Sequence, residues 1–519
     1  MTTRKTKSAG KRTARKTTKS AARAKTKRAD GRKNAGGLRV RMYRVGFGDF
    51  FLVTVPTTSH GNQYILIDCG VFKGTSGTGD IGSIVEAVED MYQTTNGHLA
   101  LVIMTHRHAD HIAGFSKAQR FKDFTASMVW MPYWEQFNDD KSAKKPASKS
   151  FALEDEDENA AHLLQLDIQA LAENLAMQFG SRKDPDAQEA LAQLGNATGI
   201  EDFSAAAKDK KRRGGNAAAL DLLKNHLGAN GNNVRYYAAG DKAELPNELK
   251  GLTATILGPP PKKAKAFLAL MDLKKGVGQY LDSVTDGDDG PKAIQPFPTE
   301  WSADSPKDYP KKDLRRDPID YNRCIQDVNN AQPDMLAAAA GKIENFLNNQ
   351  SLVVLFEFGG KKLLFAGDAQ GGNWEYWLFK MDEPMKDPTK AGDLVDTSKE
   401  LLETIDFYKV GHHGSTNATP IQAVEAAIAR PKSSTGFVSM CSTEDEVYGN
   451  PDKETEVPRS LLMKVLNDGS CLLRSDSIAV TFNDENKKSI TIKARKGVEL
   501  PEPKVGKLSK TNLYIEYSF

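Results

Sequence analysis

Thr105-His106-Arg107-His108-Ala109-Asp110-His111 places four metal-ligand side chains within six positions, directly behind the apolar run Leu99 to Met104. The run is long enough for a buried strand. Residues two apart on an extended segment point to the same side, so His106 and His108 face one point. Asp110 and His111 fall where the chain turns into a helix, and serve a second point nearby. Imidazole and carboxylate together suit zinc, and also manganese or iron. The chain has nine histidines, at 60, 98, 106, 108, 111, 162, 226, 412 and 413, and three of them lie within six residues. Buried histidines satisfied by core partners rarely come in such a row.

Working outward, two more loops carry ligand-type residues behind strand-like runs. Ser351 to Phe358, a Gly359-Gly360 turn and Lys362 to Phe365 read as a hairpin ending at Ala366-Gly367-Asp368. Phe407-Tyr408-Lys409-Val410 ends at Gly411-His412-His413-Gly414-Ser415. Upstream, Leu38 to Tyr43 alternates like a strand, and Val45-Gly46-Phe47-Gly48-Asp49 is a glycine turn. Phe50 to Val55 and Tyr64 to Ile67 form a hairpin that ends at Asp68-Cys69-Gly70. An Asp at a strand end beside a metal site often orients a ligand histidine from behind. A simple turn role for Asp68 is the equal alternative on spacing alone. Helices are predicted over 80–93 and near 112–121, with a strand at Met128 to Met131 closed by Pro132.

Two segments interrupt the sheet pattern. Residues 138–232 are rich in Ala, Lys, Asp and Glu, and Leu164, Ile168, Leu171, Leu175 and Phe179 recur at helical spacing. This reads as an amphipathic helical insertion, with His162 and His226 as solvated or helix-capping residues. Sheet patterning returns at Val234 to Tyr237 and Thr253 to Leu257, and a second insertion, loop-like in its middle, covers about 262–344.

The length of 519 residues allows several domains or one large domain with insertions. The net charge of +3 hides an asymmetry: residues 1–36 hold 14 Lys and Arg against the single acid Asp30, leaving 57 basic and 67 acidic residues elsewhere. Residues 1–37 contain no Leu, Ile, Val or aromatic residue and are predicted to be a disordered tail. Its cations, Arg12, Arg15, Lys16, Lys27 and Arg28 among them, make it a polycationic arm for nucleic-acid phosphates, or else a solubilising tail. Four scattered cysteines without CxxC spacing argue for a reducing, cytoplasmic setting and against a thiolate zinc site. No apolar run approaches the roughly 18 residues of a membrane span.

The three ligand loops together resemble the metallo-β-lactamase-fold superfamily of metallo-hydrolases, and more closely the hydrolase domain of ComEC-like competence proteins. The likeness rests on Val45 to Asp49, Leu66-Ile67-Asp68-Cys69-Gly70, Thr105 to His111, Leu363 to Asp368 and Lys409 to Ser415, with Tyr448-Gly449-Asn450-Pro451 and Arg474-Ser475-Asp476 further on. The resemblance implies a four-layer αββα sandwich, of α/β (α+β) class, over residues 38–485, with residues 486–519 a C-terminal β extension. It implies that His106 and His108 hold a first divalent ion and Asp110 and His111 a second, zinc or else manganese, with Asp368 bridging. His413 aligns with the last ligand histidine; His412 is the alternative ligand and otherwise a proton donor. Asp49 and Asp68 stand behind the ligands. The family often supplies a third histidine after the strand Met128 to Met131, where this chain has Pro132-Tyr133-Trp134-Glu135, so either Glu135 or water completes the first site or that site is the weaker of the two. Phe47 and Asn450 replace the family's usual Gln and His.

These readings converge on hydrolysis of a phosphodiester by a metal-activated water, oriented by Asp110 or Asp368, as in a nuclease. The alternatives are hydrolysis of a small ester, such as a lactone or a phosphocholine-type diester, and a nucleic-acid-tethered interaction protein with an impaired metal site.

Overall fold

A computed structural model describes residues 37–72, 83–139, 185–200, 215–268, 340–341, 343–380, 394–429, 436–444, 447, 456–476, 478–482, 490–494, 507–511 and 513–519. The basic tail, the 164–179 stripe and Tyr448 to Pro451 lie outside them. The described chain is mixed α/β.

Its larger sheet has eight strands, in the order Lys507–Lys510, Tyr514–Ser518, Arg39–Tyr43, Phe50–Thr57, Gly61–Cys69, Leu101–Ile103, Val129–Pro132 and Val234–Tyr237. A second sheet of six strands runs Cys471–Arg474, Val438–Cys441, Phe407–Lys409, Lys361–Phe365, Val353–Phe358 and Thr253–Gly258. The pairing is antiparallel where hairpins join the strands and parallel from Gly61–Cys69 through Val234–Tyr237, and again from Lys361–Phe365 through Cys471–Arg474.

Side chains alternate across these strands, and both faces are buried. Phe51, Val53, Ile65, Ile67, Leu101, Ile103 and Trp130 pack with Val354, Phe356, Leu363, Phe365, Phe407 and Met440 in one cluster between the two sheets. The intervening residues Phe50, Leu52, Leu66 and Val102 face outward onto helices Ile84–Thr95 and Ala109–Lys117. Val353, Leu355 and Leu364 do the same in the second sheet, against helices Gly371–Phe379, Asp396–Thr404, Ile421–Ile428 and Ser460–Gly469. This two-sided burial is why the strands read as near-continuous apolar runs.

One detail differs from the sequence reading, and two others add to it. The helix behind the histidine stretch begins at Ala109 rather than near 112, so Asp110 and His111 ride on its first turn, where an acid suits the helix dipole. The C-terminal strands extend the larger sheet: Tyr514–Ser518 pairs antiparallel with Arg39–Tyr43, from Arg39 opposite Ser518 to Tyr43 opposite Tyr514. Arg41 clamps that edge, with Nε 2.8 Å from Glu516 and Nη1 2.7 Å from Asp90. His226 is exposed, in keeping with the solvated reading, and its Nε2 lies 3.2 Å from the Phe124 carbonyl.

Candidate metal centre

Parallel strands bring their C-terminal ends to a common edge, where ligand loops collect in α/β sheets. Asp68 lies at the end of Gly61–Cys69, and His106 follows Leu101–Ile103. Asp368 follows Lys361–Phe365, and His412 and His413 follow Phe407–Lys409. The two edges are stitched together beside the site by the Leu352 N–H, which donates to the Thr105 carbonyl at 2.9 Å, and within the second sheet the Asp368 N–H donates to Ser351 Oγ at 3.1 Å. Gly70 allows the Asp68 loop to press on the histidine loop, since a Cβ there would lie 2.0 Å from the Asp110 carbonyl carbon. Asp68, His412 and His413 all adopt left-handed backbone, at φ 54°, 43° and 52°, a strained state for side chains of their size.

Three buried groups of His and Asp side chains could hold a metal ion: His106, His108 and Asp110; Asp110, His111, Asp368 and His413; and Asp49, Asp68 and His111. His106 Nε2 and His108 Nδ1 face each other at 3.0 Å. His111 Nε2 stands 2.9 Å from Asp368 Oδ2, and His413 Nε2 stands 3.2 Å from Asp110 Oδ2. The outer ring nitrogens are tethered. His111 Nδ1 meets Asp68 Oδ2 at 2.7 Å, and His413 Nδ1 meets the Ser442 carbonyl at 2.7 Å, which turns both Nε2 atoms inward. Asp68 is fixed in turn by the Thr105 N–H at 2.8 Å and hydroxyl at 2.6 Å.

The carboxylate common to the first two groups is Asp110, whereas Asp368, expected to bridge, falls in the four-residue group alone. Asp368 Oδ1 also has partners within the protein. It accepts from Lys409 Nζ at 3.2 Å and from the His412 N–H at 3.0 Å. Lys409, a residue the sequence reading passed over, is buried and also contacts Asp49 and the Gly367 carbonyl. Its position in a strand-like run gave no sign that it would turn into the site.

A chemical test of the donor set comes from the atoms left over. His108 Nε2 and Asp110 Oδ1 are buried without a hydrogen-bond partner among the described residues, and His111 Nε2 and Asp368 Oδ2, 2.9 Å apart, have only each other. Folded proteins pair most of their buried polar atoms, so orphans gathered on neighbouring ligand-type side chains fit cation binding. Electrostatics agree. Burial opposes a charged His111 ring, but Asp368, Asp68, Asp49 and Asp110 together outweigh it and hold its pKa well above the usual value. Burial, with His111 and His108 nearby, pushes His106 well down. Burial pushes against the charged Asp110 and Asp368, yet the surrounding imidazoles, with Lys409 beside Asp368, keep both below the usual carboxylate range.

One expected result follows directly. Cation uptake must expel the proton that His111 keeps, so affinity should fall as pH is lowered and binding should release protons. Titration calorimetry of zinc binding in buffers of differing ionisation enthalpy measures that release; identical heats in all buffers would refute it.

Glu135 does not join any of the three groups. Arg107 takes both of its oxygens, Nε to Oε1 at 2.9 Å and Nη2 to Oε2 at 2.7 Å. The alternating geometry that aims His106 and His108 inward sends Arg107 the other way, and a buried carboxylate demands such a partner. The carboxylate that does approach is Glu344, from helical residues 343–348, with Oε1 3.5 Å from His412 Nε2. Gln370 Nε2 lies 3.3 Å from His412 Nδ1. Burial lowers the His412 pKa, but Asp368 and Glu344 more than offset this and raise it to about 9. Phe47 packs its ring on His413, centroids 4.2 Å apart. Arg474 and Asp476 pair with each other at 2.6 Å, and the Ser475 carbonyl accepts from Arg44, so that motif braces the sheet.

Comparison of the sequence with protein-family models found no match, and no curated protein matches it. No helix among the described residues is long and apolar enough to cross a membrane.

Proposed function

We propose that the chain is a metal-dependent hydrolase with the four-layer αββα sandwich of the metallo-β-lactamase superfamily, acting on a phosphodiester and most readily on nucleic acid. The observation that supports this best is the convergence of His106, His108, Asp110, His111, Asp368 and His413 from three separate loops, with unpaired ligand atoms turned together. Nitrogen and oxygen donors without thiolate suit two zinc ions, or manganese. Bound there, divalent ions would lower the pKa of water towards neutrality and offset the charge that develops on the attacked phosphate.

The protein groups divide the remaining work. Asp110 Oδ1 is unpaired and buried, so it is the oxygen available to orient the attacking water. Asp368 has its outer oxygen committed to Lys409 and the His412 N–H, which leaves it a ligand rather than a base. His412, with its pKa raised to about 9, carries a proton at neutral pH for the leaving oxygen. The Gln370 amide can turn its otherwise unpaired Oε1 towards a protonated ring.

The deciding experiment is metal analysis of the purified full chain beside assays on bis(p-nitrophenyl) phosphate and on single- and double-stranded DNA, with zinc and with manganese. Diester cleavage that stops with chelator is the expected result. A metal-loaded protein that cleaves only carboxylic esters or lactones would move the reading to small-ester hydrolysis. A protein without metal or hydrolysis would leave the tethered interaction protein.

The tail carries an independent expectation. Deleting residues 1–36 removes 14 basic residues and one acid. DNA affinity should then drop at low salt, and its dependence between roughly 50 and 200 mM salt should flatten, because fewer counterions are released. Chromogenic-diester hydrolysis should hold. Equal salt slopes with and without the tail would identify it as a solubilising segment.

A further inference from the structure

The first insertion, which the sequence presents as a polar helical excursion, reaches the metal loop with two asparagines. Helix Pro185–Thr198 carries Asn196 and helix Gly215–Asp221 carries Asn216, and both side chains are buried. Asn196 Oδ1 accepts the main-chain N–H of Asp110 at 3.0 Å. Asn216 Nδ2 donates to the Arg107 carbonyl at 2.8 Å, to the Asn196 carbonyl at 3.0 Å and to the Ala197 carbonyl at 3.2 Å. The two amides therefore hold the backbone on either side of His108 and are tied to each other.

The arrangement is built for contact. Gly199, at φ 70°, lets the two helices meet: the Gly215 N–H donates to its carbonyl at 2.8 Å, and a Cβ on it would lie 2.4 Å from the Asn216 nitrogen. Ala187, Leu191 and Leu194 pack the first helix on Ile343 and Leu347 of the helical residues that carry Glu344. Below, Lys224 Nζ donates to the Glu135 carbonyl at 2.7 Å, while the Glu135 carboxylate holds the Arg107 side chain. Arg107 is thus gripped at its carbonyl and its guanidinium, and its neighbours on both sides are ligand histidines. An asparagine contributes one acceptor and two donors in a fixed plane, so these bonds set orientation as well as distance.

We infer that Asn196 and Asn216 are positioning residues that hold the His106 to His111 loop in its ligand geometry, and that the insertion serves as a clamp on the metal centre. The affinity part of this inference rests on the metal-centre reading; the clamp itself does not. Neither amide touches a proposed ligand side chain, so each acts through the main chain.

The test uses the full chain with Asn196→Ala, Asn216→Ala and Asn196→Asp, the last keeping an acceptor for the Asp110 N–H. Zinc affinity is read by competition with a chromophoric chelator, and hydrogen exchange is read in the metal-free protein. Both alanine variants should bind zinc about ten- to a hundredfold more weakly, the range for groups that orient ligands from behind. Peptides covering 105–112 should exchange faster while the Phe50–Thr57 strand keeps its protection. Asn196→Asp should recover protection at Asp110 and most of the affinity. Unchanged affinity and exchange in the alanine variants would overturn the clamp, as would acceleration spread over the whole sheet or failure of Asp to restore. If the wild type takes up no zinc, the metal reading falls and the exchange comparison alone judges the clamp.

Discussion

Asp110→Asn is expected to abolish diester hydrolysis and to lower bound zinc from about two ions per chain to fewer than one, since a carboxylate shared by two ligand groups serves both. Asp110 is the residue common to the His106/His108 group and the His111/Asp368/His413 group. Asp368→Asn should behave differently. That residue belongs to one group, and its outer oxygen is bonded to Lys409 and to the His412 N–H, so about one ion should remain at His106, His108 and Asp110. Elemental analysis after desalting, on wild type and both variants, measures this. Equal losses in the two variants would return the shared role to Asp368.

Lys409→Met should produce the largest change in stability. The Lys409 ammonium is buried, bonded to Asp49 and Asp368, and its removal leaves two carboxylates without their cation. Breaking a buried pair by deleting one partner costs about 3–5 kcal/mol. Urea unfolding of the metal-free full chain should show that loss. Lys409→Met/Asp49→Asn should recover part of it by removing one orphaned charge, and zinc should recover more in the single variant than in the wild type. A Lys409→Met protein as stable as the wild type in chelator would show that the carboxylates are neutralised by other means. Burial pushes the Asp49 carboxyl upward, and Lys409, His111 and His413 pull it back, so protonated Asp49 is the route by which such a rescue would occur.

Much of the sheet framework was legible because its strands are buried on both faces. A segment such as Leu363-Leu364-Phe365 alternates between the inter-sheet cluster and the outer helices, so every residue is apolar and the run stands out. The ligand loops were legible because each follows such a run within a few residues. Helix starts were less so: His108 occupies the cap position before Ala109 without a side-chain capping bond.

His106, His108, Asp110 and His111 stood out by residue type and spacing, and Asp368 and the pair His412/His413 by their place behind strand-like runs, while the roles of Asp368 and of His413 as ligands came from the family resemblance. Asp68 could be either a turn residue or an orienting group until its carboxylate was seen against His111 and Thr105. The roles of Lys409, Glu344, Asn196 and Asn216 were decided only in three dimensions. Lys409 looks like one more residue of a strand, and the other three lie in segments whose composition reads as solvated. Glu135 shows the converse: it stands at the right place in the chain for a ligand, but Arg107 claims its carboxylate. Local periodicity states which way a side chain leaves the backbone. Which buried charge it meets, and which loop an amide from a distant insertion holds, depends on how the two sheets and the insertions close around one another.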